Sequence, residues 1–117
     1  MIQFYGHPTC TTCKIAEKWL EQEGIAYEWT NIKETTPPRE VLRDVLENEK
    51  LTVKRLFNTS GNLYKELELK DKLESLSLDE QLDLLMSDGM LIRRPFLYDE
   101  NNVSVGYNED TFNELWK

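Results

Sequence analysis

Cys10-Thr11-Thr12-Cys13 joins a strand-like run to a helix-like one, and that junction sharply limits the folds open to the chain. Ile2-Gln3-Phe4-Tyr5 reads as a short strand ending in a Gly6-His7-Pro8 turn. From Thr12 onward Ile15, Ala16, Trp19 and Leu20 recur at helical spacing, and Gly24 supplies the stop. Ile25 to Ile32, rich in aromatic and β-branched residues, reads as a second strand. The spacing therefore predicts a β-α-β unit with a Cys-x-x-Cys at its first strand-to-helix turn. A sulfur ahead of a helix meets unsatisfied amides and the positive end of the helix dipole, both of which favour its anion. The thiolate is the form that attacks disulfides, so the junction points to redox chemistry.

The rest of the chain is helical before it returns to strands. Thr35-Thr36-Pro37-Pro38 predicts a cap and first-turn prolines for a helix with Val41, Leu42, Val45 and Leu46 on its apolar face. Val53, Leu56 and Phe57 predict a further short helix, ended by Asn58-Thr59-Ser60-Gly61. Leu63 to Met86 keeps a helical pattern anchored by Leu67, Leu73, Leu82 and Leu85, and Ser77-Leu78-Asp79-Glu80 is a capping box within it. Asp88-Gly89 ends that stretch. Phe96 to Tyr98 and Val103 to Val105 flank Asp99-Glu100-Asn101-Asn102 as a hairpin, and Asn108 caps a last helix carrying Phe112, Leu115 and Trp116. The order β-α-β, helices, β-β-α is the connectivity of an α/β thioredoxin-like fold. A single domain over residues 1–117 is expected, with a helical insertion at about 36–90.

Composition bounds the function classes. The chain has 117 residues, 31% of them charged, and a net charge of −8. That length fits one core, and that charge repels a phosphate backbone, so no direct nucleic-acid contact is expected. No apolar run reaches membrane-spanning length and the first residues lack a secretory pattern, so a cytoplasmic protein without a membrane partner is expected. The chain's two cysteines make a weak structural staple. Closing so short a loop removes only about 2 kcal/mol of unfolded-state entropy.

Within the Cys-x-x-Cys, Cys10 is the candidate nucleophile, with Thr11 and Thr12 as hydroxyl donors and Lys14 as nearby positive charge. Cys13, one helical turn on, is placed to attack a mixed disulfide or sulfenic acid formed at Cys10. Two idle or buried cysteines would show the same spacing. His7, Cys10 and Cys13 also have metal-ligand chemistry, but a structural zinc site takes four protein ligands and the chain has no other Cys or His. His7 reads as a turn residue and no metal is expected. Arg93-Arg94-Pro95 precedes the third strand, a position that faces the Cys-x-x-Cys in this fold. An arginine there would stabilise a thiolate and hold an oxyanion through a fork of donors, although the dipeptide alone reads as surface loop. Trp19, Trp29 and Trp116 read as core or half-buried packing residues.

Pro8 to Lys14 with Trp19-Leu20, then Leu91-Ile92-Arg93-Arg94-Pro95, then Val105-Gly106-Tyr107-Asn108-Glu109-Asp110 together resemble the bacterial ArsC/Spx family. That family includes glutaredoxin-coupled arsenate reductases and the Spx and MgsR transcription regulators. Phe57 to Gly61 and Ser87 to Leu91 most resemble an arsenate-reductase-like branch. The resemblance implies a thiol-disulfide oxidoreductase with Cys10 as nucleophile, Cys13 as resolving thiol and Arg94 as oxyanion holder. Thr11, Thr12, Lys14, Arg93 and Pro95 would form the binding surroundings. The reductases carry two further arginines whose positions align near Asn58 and Gly106, neither an arginine here, so the expected substrate is a small oxyanion, with arsenate itself disfavoured, or a low-molecular-weight thiol disulfide. No resident cofactor is implied, only an external thiol or a reducing partner of thioredoxin or glutaredoxin type. The regulators imply an alternative, a Cys10/Cys13 redox switch that binds the C-terminal domain of the RNA polymerase α subunit. Their central helical region carries a glycine that Asn48 to Thr52 lacks.

Overall fold

Alternating side chains with a high share of aromatic and β-branched residues favour extended backbone, and the strands form where that pattern occurs. A computed structural model describes every residue, Met1–Lys117. The chain divides into two compact units, residues 1–31 with 94–117, and residues 32–93.

The first unit holds a four-stranded sheet in the order β2-β1-β3-β4. Strand β1 (Ile2–Gly6) pairs in parallel with β2 (Tyr27–Asn31), Phe4 opposite Trp29 and Gly6 opposite Asn31. It pairs antiparallel with β3 (Phe96–Tyr98), which pairs antiparallel with β4 (Val103–Val105). Helix α1 (Thr11–Gln22) and helix α6 (Glu109–Leu115) pack on one face. Ile2, Phe4, Cys13, Ala16, Trp19, Leu20, Leu97, Phe112 and Trp116 form that core. Trp19 meets Phe112 edge to face at 5.2 Å, and Trp116 Nε1 donates to the buried Ser104 hydroxyl at 3.1 Å. The indole thus buries its ring without leaving its N–H unsatisfied. This β-α-β and β-β-α arrangement is a thioredoxin-like fold.

The second unit is helical. Helix α2 (Arg39–Glu47) is joined to α5 (Leu78–Ser87) through Arg39–Asp83 at 2.7 Å and Arg43–Asp79 at 2.9 Å. Between them lie α3 (Val53–Leu56) and α4 (Asn62–Glu66). Leu42, Val45, Leu56, Phe57, Leu69, Leu73, Leu82 and Leu85 are buried. No helix is long and apolar enough to cross a membrane.

Several expectations shift. Helix α1 begins at Thr11, and its Ile15 is exposed because the inward stripe is Cys13, Ala16, Trp19 and Leu20. The prolines precede α2: Pro38 is its N-cap, without a side-chain cap bond. The helical stretch over 63–86 is broken. Glu68 takes a left-handed φ of 54°, after which two 3-10 turns carry Leu69 and Leu73 inward while Leu67 stays exposed. The buried Gln81 side chain donates to the carbonyls of Leu73 and Leu76 at 3.0 and 3.4 Å, satisfying acceptors that the break leaves over. Ser77 and Glu80 form the expected capping box. Trp29 is not core; it is 38% exposed on β2, an edge strand.

Candidate functional site

Helix α1 starts at a sulfur. Cys10 is its N-cap with extended backbone (φ −84°, ψ 112°), and its Sγ accepts the Cys13 amide at 3.2 Å. Below the cap the chain is held by Cys10 N–H donating to His7 C=O at 3.1 Å, and the first helical bond runs from Lys14 N–H to Cys10 C=O at 3.2 Å. A sulfur in this place accepts a helix amide best when it is anionic.

The two thiols differ in environment. Both are free, Cys10 half-buried and Cys13 buried. Burial pushes the Cys13 thiol up to about 12, its hydrogen bond to Cys10 acts the same way, and a bond to the His7 backbone and the Arg94 charge oppose it. At neutral pH Cys13 therefore keeps its proton beside the Cys10 sulfur. The pair is arranged as one accessible acceptor and one enclosed donor.

The other residues singled out in the sequence divide into groups. Arg94 bears electrostatically on Cys13 and enters Pro95 through a cis peptide. Pro95 is buried, and its carbonyl accepts Gly106 N–H at 3.0 Å. Thr11, Thr12 and Lys14 lie exposed along the first turn of α1. His7 Nδ1 is engaged by the Thr9 hydroxyl at 2.8 Å and by the Thr9 amide at 3.3 Å. Arg93 turns elsewhere. Its guanidinium donates to Arg55 C=O at 2.7 Å, Lys54 C=O at 3.2 Å and Thr59 Oγ1 at 3.2 Å, which occupies the fork within the helical unit. The structure thus separates a dipeptide that the sequence reads as equivalent.

Residues 5–115 match the ArsC family. The chain belongs to the ArsC family. It is similar to the uncharacterized protein YusI of Bacillus subtilis, with 49% identity over 115 residues covering 98% of each chain. It is 31% identical over 110 residues to the global transcriptional regulator Spx of Listeria innocua, covering 94% of this chain and 82% of that protein. A crystal structure of a possible arsenate reductase from Streptococcus mutans superposes with a TM-score of 0.88 at 45% identity, covering 95% of this chain and 97% of that one. Within this ArsC-family fold, the two positions aligned with further arginines are committed to structure. The Asn58 side-chain Nδ2 donates to Met90 C=O at 3.5 Å. Gly106 has φ +71°, a left-handed backbone that an arginine would adopt at a cost of about 1–2 kcal/mol.

Trp29, set aside as a packing residue, borders the pair. A methyl group built on Gly6 would lie 3.2 Å from Trp29 Nε1 and 3.3 Å from Cys13 Sγ. Its register opposite Phe4 in a parallel pair creates that placement, and no local pattern in the sequence carries it.

Proposed function

We propose that this ArsC-family protein is a thiol-disulfide oxidoreductase with Cys10 as nucleophile, Cys13 as resolving thiol and Arg94 as electrostatic support. The observation that carries the reading is the asymmetry of the pair: Cys10 Sγ caps α1 and accepts the Cys13 amide, while Cys13 is buried and held as the thiol. In the first step the Cys10 thiolate attacks one sulfur of a disulfide, forms a mixed disulfide and releases the other half as thiolate. In the second, Cys13 loses its proton and attacks the Cys10 sulfur, giving the Cys10–Cys13 disulfide and a second released thiolate. The substrate gains two electrons and the protein loses two. An external thiol or a thioredoxin- or glutaredoxin-type partner returns them, so no resident cofactor enters the cycle. Thr11, Thr12 and Lys14 lie exposed on the same helical turn as the reacting sulfurs and Pro95 follows Arg94 in the chain, whereas the fork of Arg93 is used structurally.

A single guanidinium beside the pair disfavours arsenate, whose charge calls for several charge-assisted donors. Mass spectrometry of the protein after exposure to a small disulfide tests the assignment. Cys10→Ser should form no adduct and show no turnover, and Cys13→Ser should stop as a stable adduct at Cys10. Turnover by both variants at the parent's rate would sink the reading.

The 31% identity to Spx supports a second reading. In it the same pair acts as a redox switch on a transcription regulator that binds the RNA polymerase α subunit.

A further inference from the structure

We propose that the Trp29 indole is the substrate-binding wall of the dithiol site, and that it selects organic disulfides carrying an apolar or aromatic group beside the sulfur. This rests on the oxidoreductase reading and deepens it by naming the substrate class.

The placement follows from the strand and helix geometry. Tyr27 Oη donates to Glu17 Oε1 at 3.1 Å, which fixes the side of α1 that faces β2. Helix α1 returns antiparallel to the strands, so moving from Tyr27 to Trp29 moves back along the helix from Glu17 toward Cys13. Two strand residues advance about 7 Å and one helical turn about 5.4 Å, so the match is close. The contacts around Gly6 confirm it, with Trp29 Nε1 and Cys13 Sγ at 3.2 and 3.3 Å from the same missing methyl. A methyl at position 6 would also press on Phe4 Cε1 at 2.8 Å, so glycine there leaves room for the Phe4 ring, the indole and the Cys13 sulfur to converge.

Trp29 is also unusual in its exposure. Trp19 and Trp116 are 9% and 6% exposed, whereas Trp29 is 38% exposed, on an edge strand beside a reactive pair. An exposed indole whose Nε1 lies near the Cys13 sulfur of the pair gains by being covered, and an apolar or aromatic substituent covers it. A small oxyanion has no surface with which to do so. A disulfide carrying a side chain next to its sulfur does. Cys10 attacks that disulfide as described above, and the released half leaves as thiolate. Trp29 takes part in no bond change; it holds the substituent while the sulfurs react.

The test uses two substrates of matched electrophile chemistry, the disulfides of a capped phenylalanyl-cysteine amide and of its glycyl counterpart. Single-turnover rates of adduct formation at Cys10 are measured for the reduced parent, Trp29→Ala, Trp29→Leu and Trp29→Phe. The parent should prefer the phenylalanyl disulfide by about three- to tenfold, the range that one aromatic contact supplies. Trp29→Ala should remove that preference, bringing the phenylalanyl rate down to the glycyl rate of the same variant, and Trp29→Phe should restore most of it. Trp29→Leu, which keeps an apolar side chain but has no aromatic face for the phenyl ring, decides the question should the alanine variant fail to fold. Retention of the parent's preference in the alanine or leucine variant overturns the assignment, as does equal reaction of the parent with both disulfides. A parent that reacts with neither overturns the oxidoreductase reading itself, an outcome that the loss of preference alone does not imitate.

Discussion

Removing the Cys13 sulfur from water pushes its thiol from 9.0 up to about 12, and this shift has consequences for stability and rate. A thiol that stays protonated longer in the folded protein than in the unfolded chain adds stability that is complete below pH 9. That contribution is lost as pH rises from 9 through 12. Tyr5 and Tyr27 are also raised, from 10.0 to about 12 and chiefly by burial, so their loss has the same sign but begins one unit higher. Denaturant unfolding of the reduced protein at pH 8, 9 and 10 should therefore show little change over the first interval and declining stability over the second, and Cys13→Ala should lessen that decline. A parent profile level between pH 9 and 10 would count against a buried neutral Cys13. The placement of both sulfurs on the first turn of α1 is legible from their spacing, because a Cys-x-x-Cys ahead of a helix puts them one turn apart. Trp29 was not legible, because its position beside Cys13 depends on strand register and on the absent side chain of Gly6.

Among the elements, those with long periodic patterns or explicit caps were readable. Helix α1, the Ser77 capping box, the hairpin and the Asn108 cap all form where the sequence places them. The stretch over 63–86 reads as helical with a restart at Ser77, because leucines at spacings of one to four resemble a helical face, and the earlier break at Glu68 is not visible in that pattern. What breaks it is Glu68 in a left-handed conformation together with the inward demand of Leu69 and Leu73. A tighter constraint lies just after α5. A methyl group on Gly89 would fall 1.9 Å from the Ile32 carbonyl oxygen, a backbone atom that cannot swing away. Gly89→Ala should lower stability by about 3 kcal/mol or more, the upper range for overpacking. Gly24→Ala, where the space is open but φ is +68°, should cost only about 1 kcal/mol. Urea midpoints of the two variants check the order; a smaller loss at Gly89 would contradict the contact.

At the level of the whole chain, element order was enough to recover the thioredoxin-like fold, because β-α-β followed by β-β-α has few compact solutions. The net charge of −8 bears on the regulatory reading. A chain this acidic gains nothing from a phosphate backbone, so an association with transcription machinery should pass through protein contacts. Affinity capture from nuclease-treated extracts should then recover the RNA polymerase α subunit, in amounts that differ between oxidised and reduced protein. Equal recovery in both states, or none in either, would leave the oxidoreductase reading alone. The same extract experiment with Cys10→Ser would show whether any difference depends on the thiol pair.

The sulfur that caps helix α1 ties reactivity to local folding at one atom. Position 10 cannot be adjusted for one without touching the other: alanine would remove the proposed nucleophile and also release the helix start, a loss smaller than that of an oxygen cap, about 0.5–2 kcal/mol. Serine separates the two. Its hydroxyl is the stronger cap, so the Cys10→Ser protein should be inert yet begin its helix at least as firmly as the parent, and a deficit seen in it belongs to the chemistry.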